Sequence, residues 1–149
     1  MKKIIASAAT LFATAALALA GSGAGWTDNY EAAKAQAKKE NKTILLDFTG
    51  SDWCGWCMKL DKEVFSQKAF KDYAKDKLIL VEVDFPHDKR QSRKLKEQNE
   101  ALAKEFGVRG YPTVILVDGD GKKVGQTGYK DGGDTAYVTH LKGLLGAKG

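Results

Sequence analysis

The sequence predicts an α/β domain, and three features carry that prediction. Two apolar runs of β type, Ile44–Leu46 and Leu78–Val83, are separated by segments with helical periodicity, and Asp118-Gly119-Asp120-Gly121 marks a hairpin between two further strands. The order read along the chain is helix, strand, helix, strand, helix, hairpin, helix.

Each element has a local reason. Thr27 or Asp28 can cap a first helix that runs to about Glu40, with Tyr30, Ala33 and Ala37 at helical spacing. Lys42 to Phe48 reads as the first strand, and its continuous Ile44-Leu45-Leu46 run suits burial on both faces. A helix opens at Cys54 and runs to about Val64. Ser66 then caps a second one, Gln67 to Asp76, which turns Phe70 and Tyr73 inward. Leu78 to Asp84 is the second strand. A loop with Pro86 and His87 leads to a helix from about Ser92 to Phe106, with Leu95, Leu102 and Phe106 on one side and Gly107 ending it. Thr113 to Val117 and Lys122 to Thr127 are the hairpin strands, and Thr135 to Leu145 closes the chain as a helix.

The amino terminus has the pattern of a secretory leader. Lys2 and Lys3 precede an uncharged run, Ile4 to Ala20, that ends in Ala18-Leu19-Ala20 before Gly21. A retained membrane helix is the competing reading, because about 17 residues touch the lower bound for spanning. Alanine richness and short length favour cleavage, near residues 20–25, leaving one domain over residues 26–149. The expected location is therefore periplasmic or secreted, with no membrane insertion after cleavage. Removing Lys2 and Lys3 takes the net charge from +5 to +3, too mild to imply nucleic acid. The densest basic stretch, Lys89-Arg90, Arg93-Lys94 and Lys96, is read as a solvated helix face, with a docking patch for an acidic partner as the alternative.

The chemistry lies in Trp53-Cys54-Gly55-Trp56-Cys57, which holds both cysteines of the chain directly after the first strand. A strand turning into a helix leaves the first helical N–H groups unpaired and directed at Cys54, where they stabilise a thiolate. That lowers the thiol pKa and makes Cys54 a nucleophile. Cys57, one turn on, is within disulfide reach and can resolve a mixed disulfide. A purely structural disulfide is disfavoured, since so short a loop constrains the unfolded chain little. Zinc would need two further ligands, and His87 and His140 lack the paired spacing. Covalent haem attachment would need a His at position 58, which is Met.

These residues, together with Val108-Arg109-Gly110-Tyr111-Pro112-Thr113, resemble the thioredoxin superfamily, and most of all its exported bacterial thioredoxin-like thiol:disulfide oxidoreductases; the match covers about Thr27 to Leu145. The resemblance implies a central mixed four-stranded sheet, with room for an extra N-terminal strand, flanked by helices. It implies Cys54 as attacking thiolate and Cys57 as the resolving, more buried thiol. It also implies a cis Pro112, with the backbone of Tyr111 pairing with an extended substrate, against an ordinary trans proline as the alternative. Trp53 would shield the site, and Gly55 and Trp56 would lie on a rim that holds polypeptide; core packing is the competing reading for both tryptophans. Asp47 would assist proton transfer to Cys57. However, one extra residue separates it from Cys54, and Leu80 or Glu82 stands where the family often has lysine, so a strand-end carboxylate with a local hydrogen bond is its alternative. Asp52 is expected to cap the helix or to be solvated.

No cofactor beyond the Cys54–Cys57 disulfide is expected, and no metal. The implied partners are disulfide-containing proteins and, as electron donor, a membrane thiol:disulfide interchange protein; a monomer is expected. Gly55-Trp56 supplies no imidazole or cation of the kind that makes a strong oxidant, which favours a reductase or isomerase. A disulfide-forming oxidase, or a non-catalytic binding module or chaperone on the same fold, are the alternatives.

Overall fold

The computed structural model describes residues 25–146; the expected leader and its cleavage site lie outside the described residues. The elements are β1 (Trp26–Thr27), α1 (Tyr30–Glu40), β2 (Thr43–Thr49), α2 (Gly55–Leu60) running into a π-helical turn (Asp61–Phe65), α3 (Lys68–Lys77), β3 (Leu78–Asp84), α4 (Arg93–Glu105), β4 (Thr113–Val117), β5 (Lys123–Thr127) and α5 (Gly133–Gly146). The sheet has five strands in the order β1-β3-β2-β4-β5. β3 is parallel to both β1 and β2, while β4 is antiparallel to β2 and β5, so the sheet is mixed.

The extra N-terminal strand also settles the first helix cap. Trp26 and Thr27 pair with Leu80 and Val81, which takes Thr27 into the sheet. Asn29 caps α1 instead of Thr27 or Asp28, its side chain accepting the N–H of Ala32 at 3.0 Å. Ser66 does not cap α3 either, because it ends the π-helical turn, and Gln67 at the cap position turns its side chain back to Lys62 O and makes no capping bond. The exposed donor is met from elsewhere in the chain: Ala69 N–H donates to Asp134 Oδ2 at 2.8 Å, across 65 residues. Sequence periodicity carries no record of such a non-local cap.

Strand parity divides the core. Leu45, Leu80, Val114 and Leu116 face α2, the π turn, α3 and α5, packing with Leu60, Val64, Phe70, Tyr137 and Leu141. Ile44, Leu46, Phe48, Val81, Val83, Ile115 and Val117 face the other way, against Tyr30, Ala33 and Ala37 of α1 and Leu102 of α4. β2 is thus buried on both faces, as its apolar run requires. Asp47 shares parity with Leu45, which places it on the face covered by α2.

Candidate active site

β2 leaves the sheet at Thr49 and enters a tight turn closed by the N–H groups of Trp53 and Cys54 on Gly50 O, at 3.3 and 2.8 Å. Three contacts fasten this turn to the end of β3 and the loop after it. Ser51 donates from its N–H and its hydroxyl to the Asp84 carboxylate at 2.9 and 2.5 Å. The Asp52 carboxylate accepts the backbone N–H groups of His87, Asp88 and Lys89 at 2.9, 2.8 and 3.2 Å. Trp53 Nε1 donates to Phe85 O at 2.8 Å. Asp52 therefore neither caps the helix nor stands free in solvent. The three N–H donors hold its carboxyl below the usual carboxylate range, His87 contributing most.

Cys54 occupies the N-cap of α2 in extended conformation, and its Sγ accepts the N–H of Cys57 at 3.2 Å. The two cysteines form a disulfide with Cα atoms 5.2 Å apart. They are buried almost equally, at 6% and 5% exposure, with Cys57 the more buried by a narrow margin. Around them lie the exposed large apolar side chains of the described residues: Trp53, Trp56 and Met58. Neither tryptophan is a core residue.

The two flanks of the disulfide differ. On one, Trp53 stacks on His87, with centroids 4.6 Å apart and planes within 6°, and meets the edge of Tyr111. The Tyr111–Pro112 bond is cis. Among the described residues, the N–H and C=O of Tyr111 enter no backbone hydrogen bond. On the other flank, Trp56 leans on Tyr129, and Lys59 Nζ sits about 5 Å from both rings. Tyr129 donates its hydroxyl to Glu63 Oε2 at 2.6 Å, and that bond raises its pKa. Gly55 leaves open space beside the cysteines, nothing lying within 4 Å of where a Cβ would stand.

Asp47 lies in register with Glu82 on β3 and Val114 on β4. It is buried, and its Oδ1 has no hydrogen-bond partner among the described residues, unlike a strand-end carboxylate with a local bond. Burial pushes its pKa well up, and the neighbouring charges of Glu82, Asp61 and Asp84 push it further. A cleft of about 710 Å³, lined in part by Trp26, Asp61, Phe65 and Leu80, reaches Asp47 from the β1 side.

Sequence reasoning missed the Asp52 tether, the Trp53–His87 stack and the Lys59–Tyr129–Glu63 cluster. Each depends on a loop meeting a helix or turn more than thirty residues away, and only the unusual Ser51-Asp52 before Trp53 hinted at one of them. Among the described residues, no group of three or more His, Cys, Asp or Glu side chains is placed to hold a metal ion.

A thioredoxin-type sheet with a disulfide at the N-cap of the helix after its central strand defines a dithiol–disulfide oxidoreductase. The family model described as "Thioredoxin-like domain" matches residues 30–137, and the chain belongs to that family. It is 36% identical over 118 residues to a protein of Chlamydia pneumoniae named disulfide bond reductase DsbH, covering 79% of this chain and 71% of that one. A solved structure titled "DsbH Oxidoreductase" superposes with a TM-score of 0.79 at 34% identity, covering 95% of this chain and 96% of the other. A thiol:disulfide interchange protein DsbD of Photorhabdus laumondii is 29% identical over 110 residues, which is 72% of this chain but only 17% of the relative.

Proposed function

We propose that this protein is an extracytoplasmic protein-disulfide reductase. The observation that carries the reading is the Cys54–Cys57 pair at a helix N-cap, ringed by exposed Trp53, Trp56 and Met58, with no imidazole or cation between the cysteines. The apolar ring suits an unfolded or extended polypeptide. The neutral Gly55-Trp56 dipeptide gives the Cys54 thiolate only backbone N–H support, which keeps the disulfide form comparatively stable and the dithiol reducing. The name of the Chlamydia pneumoniae relative supports the same direction. The leader pattern of residues 1–20 supports export, and among the described residues no helix is long and apolar enough to cross a membrane.

In the reduced protein the Cys54 thiolate attacks one sulfur of a substrate disulfide. The substrate S–S bond breaks, its other sulfur leaves as a thiolate that takes a proton, and Cys54 is held in a mixed disulfide. Cys57 then gives up its proton, attacks Cys54 Sγ and releases the second substrate thiol. Two electrons pass from the dithiol to the substrate, and the Cys54–Cys57 disulfide is the spent form. Asp47 takes the Cys57 proton in this reading. Its position on the face under α2, its raised pKa and the cleft that reaches it support that role. The Tyr111 backbone pairs with the extended substrate segment. Electrons to regenerate the dithiol come from a membrane thiol:disulfide interchange protein, a donor of the chemistry named for the DsbD relatives.

The test is the reduction potential of the pair, measured by equilibrating the mature protein with glutathione and following tryptophan fluorescence. A value near or below about −250 mV supports a reductase. One near about −130 mV makes the protein a disulfide-forming oxidant and overturns the proposal. Insulin reduction that persists in Cys54→Ala would remove the dithiol from the mechanism altogether.

A further inference from the structure

The basic stretch that begins at Lys89 divides in two. On α4, Arg93 pairs with Glu97 at 2.7 Å on a solvated face, while Lys96 and Glu100, 4.0 Å apart, stand on the side of the helix that faces the loop after β3. Lys89 and Arg90 belong instead to the loop that the Asp52 carboxylate folds back toward the disulfide. There they line a groove of about 610 Å³ whose walls include Trp53, Phe85, His87 and Tyr111. Trp53 directly precedes the attacking cysteine, so one wall of the groove adjoins the disulfide turn.

Its lining carries Lys89, Arg90 and Lys96 against the one carboxylate of Glu100, so its net charge is positive. Lys89 Nζ donates to the neutral Ser51 hydroxyl at 3.0 Å, and Arg90 makes no hydrogen bond or ion pair among the described residues. The nearby carboxylates are committed elsewhere: Asp52 to three backbone N–H groups, Asp84 to Ser51, and Glu100 to Lys96. Asp88 is not part of the groove lining. Aromatic walls beside Lys89, bonded only to a neutral hydroxyl, and the unpartnered Arg90 are complementary to an apolar backbone segment carrying carboxylates.

Building on the reductase reading, we infer that this groove selects polypeptide disulfides with Asp or Glu close in sequence to the reacting cysteine. An extended segment advances about 3.4 Å per residue, so the carboxylates that meet the Lys89–Arg90 rim are those within a few residues of the cysteine. Substrate enters with its cystine over Cys54, its backbone along Tyr111 and its acidic residues against the loop cations.

The probes are two synthetic peptides with one internal disulfide, identical except that Glu residues flanking one cysteine at these positions are replaced by Gln. The readout is the second-order rate at which the reduced Cys57→Ser protein forms a mixed disulfide with each, releasing one peptide thiol. The Glu peptide is expected to react about three to ten times faster, with the advantage shrinking at about 0.5 M salt. Arg90→Gln, at an exposed side chain without partners, lowers the Glu-to-Gln ratio, and Lys89→Gln with Arg90→Gln brings it close to one. Lys94→Gln, an equal loss of charge on exposed α4, leaves the ratio as it was. Equal rates for the two peptides, or a ratio that survives the double substitution, overturn the inference while leaving the reductase reading intact. Failure of both peptides to react overturns the two together.

Discussion

Asp47→Asn separates the carboxyl's cost to folding from its use in catalysis. In the native protein burial, then the charges of Glu82, Asp61 and Asp84, hold this group well above its ordinary value. In the unfolded chain it returns to about 3.9. Between those two values the native state binds one more proton than the unfolded state, so stability falls as pH rises, by up to about 1.4 kcal/mol per pH unit. Below the unfolded value both states are protonated and the penalty is absent; above the folded value it is complete. Asparagine does not titrate, and its N–H₂ group has Oδ1's unpartnered site and several carboxylates around it. The variant should match the wild type near about pH 4 and become progressively the more stable of the two as pH rises toward about 8. Urea unfolding of the disulfide-intact protein across that range, followed by tryptophan fluorescence, measures the difference. A gap that is flat in pH, or a wild type that is the more stable at high pH, would refute the reasoning. Release of the mixed disulfide should slow at least about tenfold in the same variant. Unchanged release would remove Asp47 from the proton path without touching its stability effect.

Three further outcomes test the scaffold of the site. Asp52→Asn should speed hydrogen exchange at the His87, Asp88 and Lys89 amides and disturb Trp53 fluorescence at neutral pH. The wild type should lose the same tether only as pH falls through the depressed Asp52 pKa, since that contribution exists while the carboxylate is ionised. In Gly50→Ala the new methyl overlaps the Trp53 ring, so a loss of about 1–3 kcal/mol and a shifted Trp53 emission are expected; an unchanged melt and spectrum would show that the ring is not held there. Asp134→Ala should cost about 1 kcal/mol in urea unfolding by leaving Ala69 N–H without its acceptor, and an unaltered midpoint would show that α3 does not depend on this cap.

What was legible in the sequence was what local physics decides. β3 runs from Leu78 to Asp84 as its apolar run predicts, α4 starts just after Ser92, whose hydroxyl accepts Leu95 N–H, and Gly107 ends that helix in the left-handed region. The hairpin at Asp118–Gly121 and the cis bond before Pro112 also stand as expected. The extra N-terminal strand that the resemblance allowed is present as β1, and two residues suffice for it because β3 offers its edge. The misses are all places where distant chain overrides local preference. The turn at Asp61–Phe65 winds as π helix although its sequence reads as plain α2 continuation. At the site, both cysteines could be picked out by type and spacing, and Pro112 and the two tryptophans through the family resemblance. The partners of Trp53 and Asp52 could not, because they come from the loop after β3.

The extra residue between Asp47 and Cys54 and the loop after β3 form a single structural device. If the extra residue had entered β2 as a bulge after Asp47, the residues beyond it would have changed face and lost their register with Val83 and Asp84. The register of β2 with β3 instead runs unbroken from Thr43–Leu78 to Thr49–Asp84, so the added length lies wholly in the Gly50–Trp53 turn. A longer turn exposes more backbone and would be free to shift the disulfide. Asp84, Phe85 and the His87–Lys89 amides supply the contacts that stop it, through Ser51, Trp53 and Asp52 respectively. Those same contacts fold the loop against Trp53 and bring Lys89 and Arg90 to the groove. Cutting the Asp52 tether should therefore loosen the disulfide turn and erase discrimination between acidic and neutral peptides together, whereas Arg90→Gln should affect only the second.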